Sequence, residues 1–129
     1  MALEHEALSK KIIGSAIAVH RELGPGFIES VYERALVIEL EHIGLKVERQ
    51  HRVPVMYRGK RVGKHRLDLF VELTIIVELR AVEAFRDRHF AVLRSYLKAA
   101  KRRHGLLLNF AQPTLQIKRV ISPHGKTST

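Results

Sequence analysis

Cysteine is absent from this 129-residue chain. That excludes disulfides and thiolate metal sites, and it is compatible with a cytoplasmic location. No apolar run reaches the 18 or more residues of a membrane span, so no transmembrane helix is expected. The opening MALEHEALSKK has acids where a signal peptide needs a basic start, so no export is expected. Acidic residues are scarce in one part of the chain only. Residues 51–129 hold five of them against 17 Lys and Arg, whereas residues 1–50 hold eight against six. The net charge is +10, and its asymmetry favours a polyanionic partner, most simply nucleic acid. A general solubility charge is the plainer reading of the same numbers.

What is present suits one domain over residues 1–129 with one core, since 46% of the residues are hydrophobic. Residues 6–23 have helical spacing, with Leu8, Ile12, Ala16, Val19 and Leu23 on one stripe. Gly24-Pro25-Gly26 ends that helix. A second helix is expected from Phe27 to Ile43, with Ile28, Val31, Ala35 and Ile38 on its buried side. Glu29 sits in its first turn, where an acid complements the helix dipole. Tyr32 and Glu33 share a face with it, and Tyr32 reads as a packing residue.

After Gly44 the period becomes two. Residues 45–55 read as a strand, with Pro54 pointing to an edge or a bulge. Residues 57–60 supply a turn, and a long strand follows. The stretch RLDLFVELTIIVELRAVE, residues 66–83, reads as two strands joined near Glu72–Thr74. Alternation puts Arg66, Asp68 and Phe70 on one face of the first, and Leu67, Leu69 and Val71 on the other. In the second strand Ile76, Glu78 and Arg80 share a face. A hairpin then sets Asp68 opposite Glu78, with Arg80 beside them. Carboxylates in an apolar hairpin are costly unless they are ion-paired or bind metal. Simple pairing with Arg66 and Arg80 is the bland account.

Residues 85–104 read as a third helix with Phe90, Leu93, Leu97 and Ala100 on its apolar stripe and His89, Val92 and Tyr96 beside it. Lys98, Lys101, Arg102 and Arg103 make its end basic. GLLLNF, residues 105–110, reads as a central strand, and residues 115–121 as a last one. Residues 122–129 read as a disordered tail. No His-x-x-x-His pair falls on a helix, so the eight histidines do not indicate zinc. A lone His89 beside a core stripe is read as structural. The order is helix, helix, three strands, helix, two strands: an α/β or α+β mixed sheet flanked by helices.

The stretch Gly26-Phe27-Ile28-Glu29-Ser30-Val31-Tyr32 resembles the signature of the bacterial GxxExxY proteins. KIIGSAIAVHRELGPGF, IVELRAVE and LLLNF resemble other stretches of that family, over about residues 8–121. The family is assigned to the PD-(D/E)XK superfamily. The resemblance therefore implies a restriction-endonuclease-like α-β-β-β-α-β core, here with an extra N-terminal helix and a C-terminal strand. It implies a metal-dependent nuclease: Asp68, Glu78 and Arg80 as catalytic residues, with Arg80 at the usual lysine position. It further implies Glu29, Asp68, Glu78 and the Leu79 carbonyl as ligands of Mg²⁺ or Mn²⁺, with Tyr32 and Tyr96 behind them. Hard oxygen ligands suit Mg²⁺, which activates water and offsets transition-state charge. Two positions depart from the family: Arg80 stands for lysine, and Val92 stands for glutamine in a Gln-x-x-x-Tyr pattern that keeps Tyr96. Arginine stays protonated, so it orients or stabilises charge but takes no proton.

The expected partner is nucleic acid, DNA in the first instance, held by Arg58, Lys60, Arg61, Lys64, Arg66, Lys101 and Arg102. No membrane partner is expected, and a domain this small suits a homodimer. Two alternatives stand beside the nuclease: a nucleic-acid-binding module without turnover, and a scaffold or interaction protein in which the acids only form ion pairs.

Overall fold

The computed structural model describes residues 4–123. Helix α1 spans Glu6–Leu23 and α2 spans Glu29–His42. Strands β1 (Val47–Tyr57), β2 (Lys60–Val71) and β3 (Ile75–Arg80) follow. Helix α3 (Asp87–Ala100) then leads to β4 (His104–Asn109) and β5 (Gln116–Ile121). The five strands lie in the order β1-β2-β3-β4-β5. Only β3 and β4 run parallel, with α3 as their crossover; the other neighbours are antiparallel. This is the mixed sheet with flanking helices that the sequence leads one to expect. None of the described helices is long and apolar enough to cross a membrane.

Two apolar clusters sandwich the sheet. Ile12, Ala16, Val19, Tyr32, Leu36 and Leu40 bring α1 and α2 onto Leu69, Val77, Leu79, Leu106 and Leu108. On the other face Leu93 and Leu97 of α3 meet Leu67, Phe70, Ile76 and Leu107. Adjacent β4 residues therefore serve opposite clusters, which is why Leu106–Leu108 is a continuous apolar run. Helix α3 lies so close to β4 that a Cβ built on Gly105 meets the Leu93 side chain at 3.0 Å. Gly26 has φ of 115° in the turn between α1 and α2, a backbone that L side chains rarely adopt.

Three expectations are corrected. First, the buried side of α2 carries Tyr32, Glu33, Leu36 and Leu40, whereas Ile28 and Ile38 are 71% and 69% exposed. The helix has two apolar stripes, and the aromatic stack of Tyr32 on Phe110, 4.5 Å between ring centres, goes with the one that is buried. Second, Leu67 and Leu69 do not share a face: Leu67 packs under α3, and Leu69 and Val71 pack under α1 and α2. The alternation breaks at Asp68. The β1–β2 register runs Arg49↔Leu69 then His51↔Leu67, without a Gln50↔Asp68 pair, and Gln50 has φ of 57°. Third, the tail does not begin at Ser122, which is buried and donates its N–H to the Arg103 carbonyl at 2.8 Å. The rest of that expectation, beyond Pro123, lies outside the described residues. Pro54 does sit on an edge strand, and the register shifts at Val55/Met56.

Candidate active site

The site forms where β2 and β3 part. Their ladder runs from Val71↔Ile75 to Leu69↔Val77 and then stops. Beyond it, side-chain carboxylates take the backbone donors. The Asp68 N–H donates to Glu78 Oε2 at 2.8 Å, and the Leu79 N–H donates to Asp68 Oδ2 at 3.0 Å. Each acid thus replaces a missing ladder acceptor, which fixes both rotamers. Strand β3 stays paired to β4 through Arg80↔Asn109, so its end is held from the other side. Asn109, fully buried, uses both ends of its amide there. Its Nδ2 donates to the Val82 carbonyl at 2.8 Å, and its Oδ1 accepts from Val82 and Ala111 N–H groups at 3.1 Å. The chain leaving Arg80 is pinned by that residue.

Arg80 cross-links the acids. Its Nη1 lies 3.4 Å from Asp68 Oδ2, its Nη2 lies 3.6 Å from Glu78 Oε1, and Nη1 also donates to the Leu79 carbonyl at 2.8 Å. The bland expectation is therefore half met: Arg80 pairs with the acids, and Arg66 pairs with neither among the described residues.

A third carboxylate enters from α2, and it is Glu33 rather than Glu29. Glu29 is exposed in the first turn and contacts neither acid among the described residues. Glu33, one turn on, is buried and pairs with Arg49 Nε at 2.7 Å. Gln50 donates to both Glu33 oxygens at 2.9 and 3.0 Å. Its backbone is left-handed, with φ of 57°, where the β1–β2 ladder skips the pair with Asp68. Tyr32 is not at the site either. Its hydroxyl donates to the Gly24 carbonyl at 2.6 Å and accepts from the Phe27 N–H at 3.2 Å, so it stitches the α1–α2 turn. Tyr96 is half-buried near the acids, its ring 4.6 Å from that of His65. Val92, one turn before it, is also half-buried. His89 is structural: its Nδ1 accepts the Arg86 N–H at 2.8 Å and caps α3.

The electrostatics follow from burial. Burial first, then the charge of Asp68, pushes the Glu78 carboxyl up to about 8. Burial raises Asp68 against the opposing pull of the Leu79 N–H and Arg80. Burial raises Glu33 as well, opposed by Gln50 and assisted by the charge of Asp68. The Tyr96 hydroxyl is raised by burial and by Glu78. Three carboxylates face two guanidiniums, Arg49 and Arg80, so one negative charge is left over when all are ionised. Glu78 is raised chiefly because it is buried, and the charge of Asp68 adds to that. Oxygen donors only, with one charge to spare, suit a hard divalent ion.

The basic residues divide. Arg58, Lys60, Arg61, Lys64 and Arg66 lie exposed on the β1–β2 ribbon, and Lys101 is exposed at the end of α3. Arg102 is occupied: its Nε donates to the Leu73 carbonyl at 2.7 Å, and its guanidinium lies over the Phe70 ring. At the opposite end of β4, Glu4, His5 and His104 bring their donor atoms within 4.8 Å of one another. Glu4 accepts from or pairs with His104 at 2.9 Å and Arg103 at 3.7 Å there, tying the start of α1 to β4. His5 and His104 are too far apart in sequence for any spacing rule to join them.

The model of the PD-(D/E)XK nuclease superfamily matches residues 6–120. The chain belongs to that superfamily. Among solved structures it is similar to "Crystal structure of SSO0001", with a TM-score of 0.59 at 17% identity. The match covers 92% of this chain and 60% of that one, and at this identity it shows the fold. No curated protein matches. A superfamily of nucleases, generally using divalent metals, accounts for a paired carboxylate site on a basic domain.

Proposed function

We propose that this PD-(D/E)XK domain is a metal-dependent phosphodiesterase of nucleic acid and a member of the GxxExxY group. The observation that carries the reading is the buried Asp68–Glu78 pair at the β2–β3 fork, each acid held by the other strand's backbone N–H with Arg80 beside them. Asp68, Glu78 and the Leu79 carbonyl would hold Mg²⁺ or Mn²⁺, and Glu33 takes the role first given to Glu29. The ion, when bound, supplies an activated water and charge neutralisation at phosphate. The chain's own residues do the rest. Gln50 and Arg49 hold Glu33, and the Leu79 N–H holds Asp68 in register. Arg80 stays protonated, so it binds a phosphate oxygen and orients the backbone but accepts no proton. The test is cleavage of mixed DNA and RNA substrates with Mg²⁺ or Mn²⁺, beside an Asp68→Ala control. Product that needs both metal and Asp68 supports the reading; metal-dependent product from Asp68→Ala counts against it.

A second reading has its own observation. Arg80 Nη1 already engages Asp68 and the Leu79 carbonyl, two of the groups an ion needs. That favours a module that binds nucleic acid without turnover. Salt-sensitive binding with no product under any divalent metal selects it. Product regained in an Arg80→Lys, Val92→Gln variant then locates the loss at those two positions.

A further inference from the structure

From Arg49 to Leu67 the chain has no acidic residue. Arg52, Arg58, Lys60, Arg61, Lys64 and Arg66 all lie on this stretch of the β1–β2 ribbon, and none of the six forms an ion pair among the described residues. Arg52 and Arg66 are direct cross-strand partners. Like charges placed so destabilise an antiparallel pair. The ribbon also outruns the sheet: β2 pairs with β3 only over Leu69–Val71, but with β1 out to Tyr57↔Lys60.

Its two faces differ. Val53 and His65, paired across the ribbon, turn toward α3, where Val53 joins the core and His65 meets Tyr96. The neighbouring pairs Arg52↔Arg66 and Pro54↔Lys64 therefore project from the opposite face, and all four residues are exposed. On β1 that face runs from Arg52 to Met56, about 14 Å at roughly 3.4 Å per residue, and the register shift at Val55/Met56 brings Arg61, the partner of Met56, onto it. Its near end is two residues, about 7 Å, from Asp68. The tip adds exposed Tyr57 and holds Arg58 at φ of 49°, a strained place for a side chain that glycine or asparagine would fill more cheaply.

We propose that this ribbon is the binding arm for double-stranded nucleic acid, with Arg52 and Arg66 gripping the backbone beside the Asp68 site. A two-stranded ribbon fits the major groove of B-form DNA, about 12 Å wide, and a phosphate between two facing arginines removes their repulsion. The proposal rests on the nucleic-acid reading of the site. The plainer account of the same charges is that they guard an edge ribbon against self-association.

The test is fluorescence anisotropy of a 20-base-pair duplex and its single strand in EDTA, across a salt series. The native chain is compared with Arg52→Gln/Arg66→Gln and with Lys60→Gln/Arg61→Gln, which leaves the strands near the core untouched. Tighter binding of duplex than of single strand is expected, weakened at least tenfold in each variant. The log–log salt slope should shrink by about 2, since each lost phosphate contact removes roughly 0.9. Single strand bound as tightly as duplex, or variants that bind as the native chain does, overturns the proposal. So does native-like binding together with dimers or aggregates on gel filtration. Arm-dependent duplex binding without any cleavage leaves the arm standing and removes only the nuclease reading.

Discussion

Glu33 is the acid that α2 brings to the site, and its burial is what separates it from Glu29. Glu33→Gln should therefore cut metal-dependent cleavage by at least tenfold, while Glu29→Gln stays within about twofold; rates on one duplex substrate decide it. Glu78 sets a pH dependence. Its carboxyl titrates at about 8 in the folded chain against an ordinary 4.5, so the native state holds the proton where the unfolded chain has lost it. Stability from this group is fully present below pH 4.5 and is lost as pH rises toward 8. In metal-free buffer, Glu78→Gln should flatten that fall; urea midpoints at pH 5 and 8.5 measure it. Asp68 and Glu33, raised for the same reason, add to the slope with the same sign.

At the scale of elements, two contacts carry the geometry. Gly105 lets α3 sit against β4, and Gly105→Ala forces its Cβ to within 3.0 Å of Leu93. A loss of about 1–3 kcal/mol is expected from overpacking. Leu93→Ala in the same chain should recover less than it costs, because it opens a cavity of its own. The α1–α2 turn hangs on the Tyr32 hydroxyl. Tyr32→Phe should cost about 1–2 kcal/mol by thermal unfolding, since a fully buried ring then leaves two part-buried backbone groups without their partner. If instead Tyr32→Phe abolishes cleavage at unchanged stability, the tyrosine acts on the site rather than on the turn. The position of every element was legible from periodicity and breakers: α1, β3, β4 and β5 fall within one or two residues of their expected spans. The face of α2 was not. Its two apolar stripes differ by one residue, a turn of about 100°. Only the stack of Tyr32 on Phe110, a residue far along the chain, selects between them.

For the whole molecule, the net charge of +10 and the buried carboxylates of the site act on different ligands. Nucleic-acid binding should weaken steeply with salt. Mn²⁺ at 100 times its dissociation constant should stabilise the fold by about 2.7 kcal/mol. Asp68→Ala should remove that gain and leave the salt dependence in place; differential scanning fluorimetry and anisotropy read the two separately. No gain with Mn²⁺ in the native chain points to Arg80 holding the cation position outright.

The sequence by itself determined the order of the elements, the mixed sheet, the basic half and the pairing of Asp68 with Glu78. Each of these is local: a period, a breaker, a composition, or two strands joined by a three-residue turn. The tertiary structure decided which α2 acid reaches that pair, that Gln50 and Arg49 hold it, and that Leu67 turns away from Leu69. Those follow from side chains meeting across strands and helices, where one residue of rotation or one missing ladder pair moves a group from solvent into the site. No spacing along the chain records such a meeting.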